Sequence, residues 1–218
     1  MMRARFLGFL VLFAGGSLLL AQGEDKLKPG QPMPGAFECY NVNGPAKGRP
    51  RCLVCQFGQR PSVIVFAKEP AEVKDTLFNF LKKLDDTAAE FTDRDFSVGV
   101  VILSPDARDS ASPTLTDEKD KKDLSPDELA KEAVNREKLI ERLEKSAKDL
   151  KHVIVATYLP PGPKAYELDK DAEVTVLFYE RMKIRNKYVF APEKFEAKDA
   201  EAIIKGLQES LPLKKKGL

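Results

Sequence analysis

Two unbroken apolar runs, "SVIVFA" at 62–67 and "FSVGVVIL" at 96–103, constrain this chain more than any other feature, because a segment of helical period separates them. Runs of this length read as strands covered on both faces. Between them, Pro70 suits the first turn of a helix, where its missing N–H costs nothing. Val73, Leu77, Phe80, Leu81 and Leu84 then recur at spacings of three and four and define one apolar face. A third run, "HVIVATY" at 152–158, follows a second helical pattern. Strands alternating with helices imply parallel pairing.

That second helix carries its own start signal. Ser125, Pro126 and Glu128 supply an N-cap, a proline at the first helical position and a capping-box carboxylate. Leu129, Ala133, Ile140, Leu143, Ala147 and Leu150 form a stripe predicted to face the core, with an exposed overhang. The loop "LPPGPKAYELDKD" follows the third strand. "EVTVLFYERMKIRNKYVF" then reads as two strands around a turn near 181–183, closing antiparallel. The last helix, 197–211, buries Ala200, Ile203, Ile204, Leu207 and Leu211.

The N-terminal region divides differently. Arg3 and Arg5 precede an apolar run of about fifteen residues, and Ala21 and Gly23 offer a small-residue cleavage site before Glu24. The run is short for a membrane span, so 1–23 is expected to be a signal peptide and the mature chain periplasmic or extracellular. No membrane span is expected after cleavage. Residues 24–34, polar and proline-bearing, read as a flexible lead-in. Cys39 lies in a short strand, and turn formers at 43–50 predict a β-hairpin returning through "RCLVCQF". Residues 104–124, rich in Ser, Asp, Pro and Lys, read as a polar insertion, and 212–218 as a basic tail.

Charge excludes one class of function. Without Arg3 and Arg5, the 36 basic residues fall level with the 34 acidic ones, and the two signs interleave, so no nucleic-acid partner is expected. No glycine-rich phosphate loop or Ser–His–Asp set is present. Asp85 and Asp86 read as solvated charges at a helix end, and no cofactor is implied.

The chemistry available is sulfur chemistry. Three cysteines, Cys39, Cys52 and Cys55, are enough for one bridge and one remaining thiol. Cys52 and Cys55 form a Cys-x-x-Cys, which can bond internally only if the backbone turns; an extended segment would point them to opposite sides. Three arrangements fit. One is a structural disulfide in the hairpin, one a working dithiol with Cys39 as exchanging partner. The third is a zinc site of the three thiolates with His152, the sole histidine. A c-type haem fits less well, because Gln56 stands where a histidine should follow the motif.

The order of elements, with "SVIVFAKE" and "AEVTVLFYERM", resembles the thioredoxin-like superfamily, in its peroxiredoxin and exported thiol–disulfide reductase branch, over about 34–211. The resemblance implies an α/β fold with a mixed sheet flanked by helices and an N-terminal hairpin, in one domain at 35–211. It also implies a reactive cysteine where the strand ending at Ala67 meets the next helix. Here that place holds Lys68, Glu69 and Pro70, and the expected cis-proline before the closing hairpin is missing from "DAEVTV". The usual active-site cysteines are absent from their normal position. The sequence therefore points to an exported thioredoxin-like protein with two candidate functions. One is thiol–disulfide exchange with protein thiols through the displaced Cys52 and Cys55, with Cys39. The other is a silent module that binds an envelope protein partner.

Overall fold

In a computed structural model, residues 26–69, 75–107 and 124–211 are described. The expected signal peptide, Pro70, Val73, most of the polar insertion and the basic tail lie outside them. The strands are β1 (Cys39–Asn41), β2 (Pro50–Arg51), β3 (Ser62–Lys68), β4 (Ser97–Leu103), β5 (Val153–Tyr158), β6 (Val174–Glu180) and β7 (Lys183–Phe190). They form one seven-stranded sheet in the order β2-β1-β5-β4-β3-β6-β7. β3, β4 and β5 pair in parallel, while β6 runs antiparallel to β3 and β7 antiparallel to β6. The predicted α/β mixed sheet with an N-terminal hairpin is the architecture observed.

Four helices accompany the sheet: α1 (Leu53–Phe57), α2 (Asp75–Glu90), α3 (Pro126–Ala147) and α4 (Ala197–Ser210). The β3–α2–β4 and β4–α3–β5 crossovers step in one direction, so right-handed connection places both helices on one face. That face also takes α4. Its core joins Val63, Val65, Val100 and Val155 of the strands to Phe80, Leu84, Leu143 and Leu207 of the helices. The alternate strand residues, among them Ile64, Phe66, Val101 and Leu177, point to the opposite face, where no long helix packs among the described residues. α1, Tyr166 and the N-terminal segment cover it instead.

Several expectations change at this level. Residues 26–34, predicted as a flexible lead-in, are docked: Leu27 is 1% and Met33 6% exposed. The Gly30 and Met33 N–H groups donate to the Ile184 and Met182 carbonyls, so the segment extends the sheet edge at β7. "RCLVCQF" is not a returning strand, since β2 ends at Arg51 and the rest turns into α1. Asp85 is 7% exposed, and its Oδ1 accepts from the N–H groups of His152 (2.6 Å) and Val153 (2.8 Å). It is a structural acceptor for the start of β5, not a solvated charge. The polar insertion begins packed, with Ser104 and Ala107 buried around a short turn of helix.

α3 is capped as predicted, with Ser125 and Glu128 bonding each other's backbone. Its buried residues are Leu139, Leu143 and Ala147, and its first turns project so that Leu129 is exposed.

Candidate functional site

The sulfur site is built by α1. Cys52 occupies the N-cap with extended backbone, and its Sγ accepts the N–H of Cys55 at 3.0 Å. One helical turn brings the two Cα atoms to 5.3 Å, within the usual range for a bridge, and Cys52 and Cys55 are disulfide-bonded. At the other end, Gly58 takes a positive φ of 61° and returns its N–H to the Val54 carbonyl. The Arg60 guanidinium donates to the Phe57 carbonyl at 2.8 Å and also to that of Gln56. Both ends of this five-residue helix are therefore tied.

The inner face of α1, Leu53, Val54 and Phe57, is buried against the sheet. The fit depends on Gly99 of β4. A Cβ there would meet Leu53 Cδ1 at 2.8 Å and Phe57 Cε2 at 3.1 Å. The outer face carries Cys55, which is exposed, while Cys52 is partly buried at the edge of the core.

Cys39 is buried beside the backbone that flanks Cys52 and is not part of the bridge. It is 0% exposed, and its thiol donates to the Arg51 carbonyl at 3.3 Å. Burial pushes the thiol up to about 12, against a lesser lowering by the Leu53 N–H. The group is a protonated thiol at neutral pH. His152 is exposed at the start of β5, and two of the three sulfurs are consumed by the bridge, so the zinc arrangement is not assembled. Among the described residues no group of three or more His, Cys, Asp and Glu side chains could hold a metal ion.

α1 leads directly into β3, so the bridge lies at the N-terminal end of that strand and Lys68–Glu69 at the other, about 20 Å away by strand rise. The far end holds a polar cluster. The Ser104 hydroxyl donates to one Glu69 oxygen, and Arg142 of α3 pairs with the other. Ser104 Oγ also accepts the Asp106 N–H at 3.1 Å. This cluster ties β3, β4 and α3 together and contains no exchangeable sulfur. A cis peptide joins Pro160 and Pro161, in the loop after β5 rather than next to β6. Sequence reasoning missed the Ser104 and Arg142 contacts and the anchoring role of Arg60. Their partners are carbonyls and a carboxylate that only folding brings near.

With this geometry in place, the fold has clear relatives. A putative thiol:disulfide interchange protein DsbE from Chlorobium tepidum superposes with a TM-score of 0.51 at 13% identity, over 85% of this chain and 99% of its own. A putative protein disulfide isomerase from Bacteroides thetaiotaomicron gives a TM-score of 0.50 at 10% identity, over 85% and 91% of the two chains. Reduced Prx3 from Vibrio vulnificus, in complex with hydrogen peroxide, gives 0.51 at 14% identity, over 84% and 97%. No protein-family profile and no curated protein matches the sequence. The fold is thioredoxin-like. Among the described residues no helix is long and apolar enough to cross a membrane.

Proposed function

We propose that this chain is an exported thiol–disulfide oxidoreductase that works through Cys52 and Cys55 at the N-terminal end of β3, with protein thiols as its partners. The observation that carries the reading is a disulfide between the exposed residue Cys55 and a Cys52 whose sulfur accepts the Cys55 N–H. An incoming thiolate attacks Cys55 Sγ, and the Cys52–Cys55 bond breaks. Cys52 leaves as a thiolate, whose charge the Cys55 N–H stabilises. The attacking dithiol's second sulfur then displaces Cys55 from the mixed disulfide. The partner is oxidised by two electrons and the pair is reduced. Run backward, the reduced pair passes those electrons to a substrate disulfide.

Cys39 is outside the couple in this reading. Burial keeps its thiol protonated, and only a thiolate attacks. The test replaces both Cys52 and Cys55 by Ser and follows reduction of a disulfide-bonded protein substrate by dithiothreitol. Loss of turnover is expected, with Glu69→Gln unaffected. Activity surviving the double substitution would sink the displaced-dithiol reading.

A second reading, a silent module with a structural bridge that binds an envelope partner, is favoured by the tight packing of α1 over Gly99. It predicts no reductase activity, a potential below about −300 mV and a loss of only about 2 kcal/mol on removing so short a loop closure. A measured reduction potential separates the two.

A further inference from the structure

At the end of β3 opposite the disulfide, a cavity of about 410 Å³ opens between the sheet and the loop after β5. Its walls include Phe66, Leu103, Pro160, Pro161 and Leu168, and its mouth includes Lys68. The volume falls in the range of about 300–1,000 Å³ typical of small-molecule sites. Gly162, at φ 105°, lets the loop close on this wall: a Cβ there would meet Leu168 Cδ1 at 2.6 Å.

The cavity lining carries four charged side chains, Lys68 and Lys170 against Asp169 and Glu173. Two carboxylates line the cavity, and both already accept backbone N–H groups. Asp169 Oδ1 takes that of Asp171 at 2.9 Å, and Glu173 Oε2 takes that of Glu193 at 2.6 Å. Among the described residues, Lys68 bonds a neutral acceptor, the Lys170 carbonyl, at 2.6 Å. An ammonium has three donors, so two remain at the rim of an apolar chamber.

We propose that this cavity binds a small monocarboxylate with an apolar chain, the chain among Phe66, Leu103 and Leu168 and the carboxylate on the Lys68 ammonium. An uncharged amphiphile of equal length would keep the apolar burial and lose the charge-assisted hydrogen bond. The site is separate from the sulfur pair and stands whether or not that pair is catalytic.

The experiment is calorimetric titration of the purified protein with decanoate and with decanol, each below its aggregation threshold. Saturable binding of one decanoate is expected, with decanol about tenfold weaker. Lys68→Met should weaken decanoate about tenfold and leave decanol unchanged, which removes the preference. Leu168→Glu, at a partly exposed position, should abolish decanoate binding while thermal unfolding confirms a folded chain. Absence of saturation, equal affinity for acid and alcohol, or decanoate binding indifferent to Lys68→Met or Leu168→Glu would each overturn the proposal.

Discussion

Cys39, Tyr166 and Tyr179 are buried in the same core cluster and respond to pH in the same direction. Burial raises the Cys39 thiol from 9.0 to about 12 and the Tyr179 phenol from 10.0 to about 12, and it raises Tyr166 further. In the unfolded chain these groups lose their protons near their ordinary values, whereas the folded chain retains them. Above pH 9 the unfolded state therefore binds fewer protons, and stability falls as pH rises. Below pH 9 these groups contribute no slope. Each adds about 1.4 kcal/mol of loss per pH unit once its unfolded form is ionised. Urea unfolding at pH 8, 9.5 and 11 should show a falling midpoint, partly flattened by Cys39→Val. A midpoint level from pH 9 to 11 would contradict the buried-thiol account. The same burial predicts which thiol stays unlabelled in the native protein.

Among the elements, the junction of α2 with β5 shows what local sequence can and cannot reveal. Asp85 sits on α2 and accepts from two backbone N–H groups of the chain entering β5. Asp85→Ala takes the acceptor from the buried Val153 N–H and the partly buried His152 N–H, an expected loss of about 1–3 kcal/mol. Asp85→Asn keeps an oxygen there and should lose less than half as much. Equal losses in the two variants, measured by denaturant unfolding, would mean that the carboxylate acts through its charge. Asp85 read as a solvated charge because its partners are far along the chain and carry no side-chain signature. α1 was hidden for another reason. Five residues make too few turns to show a period, and "LVCQF" fits a buried strand equally well. The long elements were legible, since β3, β4 and β5 are continuous apolar runs and Ser125–Glu128 is a complete cap. Leu139 was missed from the α3 stripe because Ile140 beside it satisfies the same spacing.

On the scale of the whole molecule, the two faces of the sheet are protected unequally, and this makes the first described residues part of the core. α2, α3 and α4 cover one face, while the other depends on α1, Tyr166 and the segment holding Leu27, Met33 and Phe37. Removing a buried Leu or Met side chain costs about 2–5 kcal/mol each, and a domain has only about 5–15 kcal/mol in total. A chain beginning at Gly35 loses Leu27, Met33 and the backbone bonds to Ile184 and Met182 together. It should lose at least about 4 kcal/mol, or fail to fold, whereas a chain beginning at Glu24 should unfold cooperatively. This also bears on the proposed export. Cleavage after Gly23 leaves Leu27 in place, but a cut even a few residues further on removes it. The exported protein should therefore begin at or before Lys26, as read by intact mass. A chain from Gly35 that matches the unfolding temperature of the chain from Glu24 would show that the segment only decorates the fold.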